Sequence, residues 1–496
     1  MTARLSRATL ATAPSGRSFT GPDVDPAGTT VGIVHLGVGA FHRAHQAVFT
    51  EDAAVAAGHT TWGILGVSQR SDRVVTQLRP QDGLYGVLTV GRTRTSLRLI
   101  GSMRDVAFLR SESERVLGAI AAPSTHVVSL TVSEKGYRRA TSGGVDLADP
   151  DLAADVAALG REVVSASGTD DESARSPIGA LTRGLARRYA RDRTPVTVLS
   201  CDNMAHNGRV VATLVQQLLD AVPGSGGLAA WVAAQVRFPV TMVDRITPAT
   251  TDAHRAEAAG LLGLRDEALV VAEPFAQWVI EDAFAGPRPR WELAGATLTD
   301  DVAPFEQAKL RLLNGAHSAV AYLGALRGHR TIDQAVGDPE VLAAAQQLMA
   351  EAAATLRAPH GLDLDRYRAE ILERFANPNI GYTTLQVAGD GSQKLPIRVL
   401  GTVADRLADD VVPQAAARTM AAWAVFVARG RDVRGRRLPL DDPLAARLRD
   451  AAGGGDAGLA DRMLAVPEVF PAAVREHDGF RAAFRTEVAD LLRLVP

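Results

Sequence analysis

Cysteine is all but missing: Cys201 is the only one in 496 residues. A single thiol excludes an intramolecular disulfide and any zinc or iron–sulfur site built from cysteines, and it fits a reducing compartment, so a cytoplasmic location is expected. A charge excess of either sign is missing too. The 54 basic and 56 acidic side chains leave a formal net charge of −2, which gives no electrostatic footprint for nucleic acid or an anionic membrane. No stretch approaches the roughly 18 consecutive apolar residues of a membrane span. These absences point to a small molecule as the partner. They leave the oligomeric state open, a monomer included.

What the chain does have is length and apolar content, 46% hydrophobic, enough for two or three domains with full cores. Its first 20 residues hold three Arg and no acid, a faint likeness to an organellar transit peptide; the preferred reading, with the rest of residues 1–28, is a frayed arm ahead of the first strand. The first firm element is "TTVGIVHLGVGAFHRAHQAVFTEDAAVAAG". An apolar run from Val31 to Leu36 enters Gly37-x-Gly39 and leaves into a helical pattern from Ala44 to Ala57. Strand, glycine turn and helix open a dinucleotide-binding unit, in which glycines let the backbone approach a pyrophosphate at the helix N-terminus. The third glycine of G-x-G-x-x-G is replaced by His42.

"TTWGILGVS" follows as a second strand, "THVVSLTVSEKGY" as a third and "TPVTVLSCDNMAHNG" as a fourth. The last two end in polar residues: Glu134 and Lys135 in one, Asp202, Asn203 and Asn207 in the other. In open α/β sheets ligands sit at the carboxyl ends of strands, so these are candidate site residues. Helix capping and loop initiation would account for them equally well. Beyond residue 300 the sequence turns Ala- and Leu-rich with helical spacing. The expected fold is therefore a Rossmann-type α/β domain over 29–298, followed by a mainly α-helical domain over 299–496.

The helical half opens with "FEQAKLRLLNGAHSAVAYLG", residues 305–324. At about 100° per residue, Glu306, Lys309, Asn314 and His317 fall in one broad polar sector spanning roughly 12 Å of axis. They could share a site. Alternatively Lys309 snorkels to solvent, Asn314-Gly315 ends the helix and His317 starts the next.

Several blocks, in order, resemble a known family: "HLGVGAFHRAHQ", "SLTVSEKGY", "SCDNMAHNG", "FPVTMVDRITP", "EPFAQWVIED", "PFEQAKLRLLNGAHS" and "DGSQKLP". Together they resemble the polyol-specific long-chain dehydrogenases, the mannitol dehydrogenase family, which groups mannitol 2-dehydrogenase, arabinitol dehydrogenase and fructuronate reductase (D-mannonate oxidoreductase). The resemblance implies a metal-independent, NAD-linked oxidation with Lys309 as general base. It also implies that Asn314 and Asn203 are hydrogen-bond donors to the substrate oxygen, with Asn207 a weaker match than Asn203. His317 would orient the substrate hydroxyl and Glu306 would relay the proton. These residue types suit the chemistry. A lysine kept from water can accept a hydroxyl proton near neutral pH, and paired amides can stabilise the developing alkoxide. Gly315 is expected to let the helix and the substrate approach closely.

For the cofactor, Gly37, Gly39, Phe41, His42 and Glu134 are carried over as binding positions. Asp72, after the second strand, is the acid available for the ribose hydroxyls and favours NAD, while Arg70 makes tolerance of NADP conceivable. For the substrate, Asp244, Gln386, Lys394 and Arg398 are the candidates. Gln386 ahead of "DGSQKLPIR" resembles the fructuronate reductase pattern, and Lys394 and Arg398 could pair with a sugar-acid carboxylate. For Arg398 the alternative is a solvated helix residue. D-Mannonate/D-fructuronate is thus the expected pair. D-Mannitol/D-fructose or arabinitol oxidation is the alternative, and a sugar- or NAD-binding protein without turnover is the reading from another class.

Overall fold

The computed structural model describes residues 2–11, 18–58, 62–140, 143–165, 170 and 172–495, without the side chains of Glu134 and Lys135. The chain divides into two compact units, Met1–Val302 and Ala303–Pro496.

The first unit is built on a six-stranded sheet: β1 (Thr30–Leu36), β2 (Trp62–Ser68), β3 (Met103–Phe108), β4 (Val127–Leu130), β5 (Val196–Ser200) and β6 (Val236–Arg237). Its order is β3-β2-β1-β4-β5-β6 and every pairing is parallel. This is the doubly wound Rossmann arrangement, with the reversal of strand order between β1 and β4. Both faces of the sheet are buried, so the strands read as continuous apolar runs rather than alternating ones. In β1 the residues still take turns: Val34 and Leu36 join one core with Val116 and Leu181, and Ile33 joins the other with Phe49, Trp278 and Trp291. Two smaller sheets complete the unit, one ordered Phe19–Thr20, Thr95–Ile100, Tyr85–Val90, Val270–Ala272, the other Thr241–Asp244, Gln277–Glu281, Thr297–Thr299.

Two expectations need correction here. The N-terminal residues that are described are not frayed: Leu5 is completely buried, its N–H donates to the Arg265 carbonyl (2.8 Å), and Phe19–Thr20 pairs with Thr95–Ile100. The helix expected from Ala44 to Ala57 is two helices, α1 (Ala40–Ala44) and α2 (Gln46–Ala57), broken at His45. The break has a cause distant in sequence. The Arg245 guanidinium donates to the Ala44 carbonyl, and the His45 ring reaches the Gln277 carbonyl at 2.9 Å, so the end of α1 is held by side-chain partners instead of continuing the ladder.

The second unit contains helices and no strand among its described residues. Its first helix is one continuous run with a changed middle: α3 (Ala303–Ala308), a π-helical turn at Lys309–Asn314, then α4 (Gly315–Leu326). A second run repeats the device: α5 (Thr384–Ala388) precedes α6 (Gly391–Leu395), a π-helical turn at Pro396–Leu400, and α7 (Gly401–Ala408). Pro396 explains the second widening, because it has no N–H to give the carbonyl four residues back and its ring clashes with that carbonyl. Among the described residues no helix is long and apolar enough to cross a membrane.

Candidate active site

The glycine turn lies at the carboxyl end of β1, beside β4, where the strand order reverses. Gly37 has φ 107°, and a Cβ there would stand 2.2 Å from the Thr131 carbonyl oxygen. Only glycine fits both the left-handed backbone and that approach. The turn is tied to β2 by Gly37 and Val38 N–H groups donating to the Val67 carbonyl (2.8 and 3.1 Å). Gly39 is exposed and precedes α1; a Cβ there would find nothing closer than 3.7 Å. One glycine is thus required by the fold, and the other leaves open space over a helix N-terminus, the combination a dinucleotide pyrophosphate needs. The residues present fit NAD. Phe41 stacks on His45 (centroids 4.9 Å apart), whereas His42 is completely buried beneath the turn.

After β2, Ser68 donates to the Ser71 carbonyl at 2.6 Å and shapes the loop. Asp72 is exposed at the N-cap position of helix Arg73–Leu78 and makes no capping bond. Arg70 is exposed as well, its guanidinium 3.4 Å from Ser133 Oγ. Glu134 belongs to the short helix Glu134–Tyr137, and its side chain lies outside the described residues.

The polar residues after β5 separate into different kinds. Asp202 is buried and accepts from the N–H groups of Val132 (3.1 Å) and Ser133 (2.7 Å) and from the Tyr137 hydroxyl (2.6 Å), strapping the β4 exit to β5. Asn207 is completely buried. Its Nδ2 donates to the carbonyls of Asp202 (3.0 Å) and Thr241 (2.9 Å), and its Oδ1 accepts from Thr241 N–H (2.9 Å) and Gly208 N–H (2.8 Å). With its hydrogen-bonding capacity spent on backbone, Asn207 is a brace. Asn203 is exposed, and Asp244, at the end of its strand, is buried.

In the second unit Glu306, Lys309 and Asn314 are buried, each with 7% of its surface exposed, and His317 is half-buried, stacked on Phe375 (centroids 4.7 Å) with Tyr382 farther off (6.3 Å). The helix does not end at Asn314-Gly315, so that alternative fails. The π turn also changes the angles expected for a uniform α-helix. The Gly315 N–H reaches back to the Leu310 carbonyl, an i→i+5 ring, and the wider turn brings a residue five positions on back toward the first. Asn314 therefore lies closer to the face of Lys309 than ideal α geometry would put it. Its Nδ2 is buried and has no hydrogen-bond partner among the described residues. Gly315 also serves a close approach within the fold: a Cβ there would lie 3.0 Å from the Arg398 carbonyl, so glycine lets the two π turns pack.

Arg398 is not a solvated residue. It is half-buried, makes no ion pair among the described residues, donates to Ser318 Oγ at 3.3 Å, and burial pushes its pKa down to about 10 against the charge of Asp390. Ser318 in turn donates to the Asn314 carbonyl (3.0 Å), linking the second π turn to the first. Lys394 donates to the Gly389 carbonyl (2.7 Å); burial, then the charge of Arg398, lowers its pKa. Gln386, expected to help read the substrate, closes a capping box at the start of α5. Its Oε1 accepts from Thr383 N–H and Oγ1 (3.0 Å each), while its own N–H donates to Thr383 Oγ1 (3.1 Å). That role accounts for the residue without a substrate. Among the described residues no group of three or more His, Cys, Asp or Glu is placed to hold a metal ion.

Comparison with known proteins then settles the kinship. Residues 31–293 match the mannitol dehydrogenase Rossmann domain and residues 301–492 the mannitol dehydrogenase C-terminal domain. The chain belongs to the mannitol dehydrogenase family of oxidoreductases. It is 41% identical to D-mannonate oxidoreductase of Escherichia coli over 423 residues, 84% of each chain. The structure of mannitol 2-dehydrogenase from Pseudomonas fluorescens, a ternary complex with NAD and D-mannitol, matches with a TM-score of 0.81 and 34% identity over 99% of this chain and 97% of that one. A D-sorbitol dehydrogenase in substrate-free form matches with a TM-score of 0.86 and 30% identity over 99% and 100%. Family membership and the Rossmann-plus-helical fold are as the sequence blocks implied. Sequence reasoning missed Ser318, Phe375 and Thr131, and it did not see the π turns, whose traces were Gly315 and Pro396 inside helical patterns.

Proposed function

We propose that this protein is an NAD-dependent, metal-independent oxidoreductase that interconverts a secondary hydroxyl and a ketone on a sugar acid, with D-mannonate/D-fructuronate as the pair. The observation that carries the chemistry is the buried, unpartnered Nδ2 of Asn314 on the π turn that begins at Lys309. A buried donor without an acceptor costs about 1–3 kcal/mol, and a substrate oxygen that becomes negative is the acceptor it suits. Lys309 takes the hydroxyl proton as general base and Glu306 passes it on. His317, its ring fixed beside Phe375, orients the hydroxyl. Asn203 enters as second donor through the family pattern. When bound, NAD supplies the acceptor for the hydride.

Arg398 favours a sugar acid over a neutral polyol. It is a half-buried guanidinium that forms no direct ion pair among the described residues, although the charge of Asp390 acts on it; a short helical step from Lys394, which lies 3.7 Å from Asp390, it is suited to a ligand carboxylate. Asp72 favours NAD over NADP. The alternative, D-mannitol/D-fructose, draws on the NAD and D-mannitol complex of the Pseudomonas relative. Lys309→Ala tests the mechanism: turnover should be lost while NADH binding, followed by fluorescence, stays near that of the unmodified protein. Near-normal turnover in that variant would remove Lys309 from the mechanism. Activity should survive exhaustive EDTA treatment; loss on chelation that zinc restores would show a metal requirement.

A further inference from the structure

The third position of the glycine fingerprint ordinarily allows helix and strand to pack closely, yet here it carries an imidazole. The ring of His42 lies flat on that of His35 in β1, with centroids 3.4 Å apart and planes 13° from parallel, and both residues are completely buried. His35 is the connected member. Its Nδ1 lies 2.8 Å from Ser129 Oγ, and its Nε2 lies 2.8 Å from Thr131 Oγ1 and 3.2 Å from the Gly37 carbonyl. Thr131 donates to the same Gly37 carbonyl at 2.7 Å, which leaves Nε2 as the donor of the neutral ring and Nδ1 as acceptor, and Ser129 Oγ also lies 2.8 Å from the Gln46 side-chain amide of α2. Neither ring nitrogen of His42 makes a hydrogen bond of normal geometry among the described residues, and the polar side chain that acts on it is Gln46 of α2. His42 thus contributes a flat face, and His35 contributes hydrogen bonds that end on the carbonyl of the glycine turn.

We propose that His35 and His42 are positioning residues for dinucleotide binding: His42 holds the ring of His35 against Ser129 and Thr131, and His35 with Thr131 fixes the Gly37 carbonyl and so the orientation of the turn. The inference rests on the reading of this turn as an NAD site. It accounts for both departures at this place, the missing third glycine and a histidine in the last turn of a buried strand, by one contact. It also makes an unusual demand: the fingerprint glycine should be the wrong residue at position 42.

The test is an NADH fluorescence titration of the unmodified protein and of His42→Gly, His42→Phe, His35→Phe and Thr131→Val, each with its thermal unfolding midpoint. His42→Gly and His35→Phe should raise the Kd by about tenfold or more, the equivalent of about 1.4 kcal/mol, whereas His42→Phe, which keeps a flat ring, should stay within roughly threefold. Thr131→Val should weaken NADH binding with little change in Tm and supplies the answer if His42→Gly does not fold. The KM for the sugar substrate should not move in any folded variant. The proposal is overturned if His42→Gly binds NADH as tightly as the unmodified protein, if His42→Phe loses as much as His42→Gly, or if Thr131→Val lowers Tm and leaves the Kd alone. Failure of the unmodified protein to bind NADH would instead remove the NAD reading.

Discussion

Two buried asparagines, one in each unit, separate what a residue type suggests from what its surroundings allow. Asn207 follows a strand end in a cluster that invites a functional reading, but its amide is spent on the backbone of Asp202, Gly208 and Thr241. Asn314 sits inside a helix, where asparagine is a poor former, and its Nδ2 has no partner. Most buried polar groups are satisfied, so the brace is the ordinary case and the orphan is the one that calls for a ligand. The comparison teaches that the hydrogen-bond account, rather than placement at a strand end, discriminates between them.

The comparison breaks most readily at Asn314. Asn314→Ala should lower kcat by about 10²–10³, as loss of one oxyanion donor does elsewhere, and should leave Tm unchanged or raised because a buried orphan disappears. An effect confined to KM would mean ordinary binding rather than stabilisation of the alkoxide. Asn207→Ala should do the reverse. It leaves the Thr241 N–H and carbonyl without their partner, so unfolding in urea should show a loss of roughly 2–4 kcal/mol, with kcat of the folded fraction close to normal. A folded, stable Asn207→Ala with collapsed kcat would turn the assignment round.

A smaller effect sharpens the contrast between satisfied and unsatisfied groups within the first unit. Burial pushes the pKa of His35 down to about 3 and that of His42 well below its ordinary value, where the charges of His35 and Arg43 press the same way. The unfolded chain takes up these protons near pH 6.5, while the folded chain does not until about pH 3 for His35. Between those values the unfolded state binds more protons, so stability rises with pH and is lost on acidification, by about 1.4 kcal/mol per pH unit for each ring. Urea midpoints from pH 7 to pH 5 should fall less steeply in His42→Phe. An unchanged slope would show that His42 is not held neutral.

The sheet was legible because its strands are buried on both faces and read as apolar runs that stop at glycine or polar residues. Strand β3 escaped because Met103–Phe108 is an edge strand with Arg104 and Asp105 inside it, which breaks the run. The break at His45 could not be read locally, since Arg245 supplies it from far along the chain. The composition of the lysine helix was readable and its geometry was not: the π turn at Lys309–Asn314 packs on the backbone of Arg398, and only Gly315 hints at that contact. Gln386 is a different lesson. Thr383-x-x-Gln386 is a capping-box pattern visible in the sequence, and it gives Gln386 a local role that the resemblance to the family does not include.

The most direct measurement of the central claim is kcat/KM with NAD for D-mannonate and for D-mannitol, on the unmodified protein and on Arg398→Met. If Arg398 meets a substrate carboxylate, the aldonate should lead in the unmodified protein, and Arg398→Met should cut its kcat/KM by roughly tenfold to a hundredfold, the equivalent of about 1.5–3 kcal/mol for one charge-assisted hydrogen bond. D-Mannitol, which has no carboxylate to pair, should be little affected by the substitution. A better rate with D-mannitol than with D-mannonate in the unmodified protein, or an equal loss for both in Arg398→Met, would contradict the sugar-acid assignment.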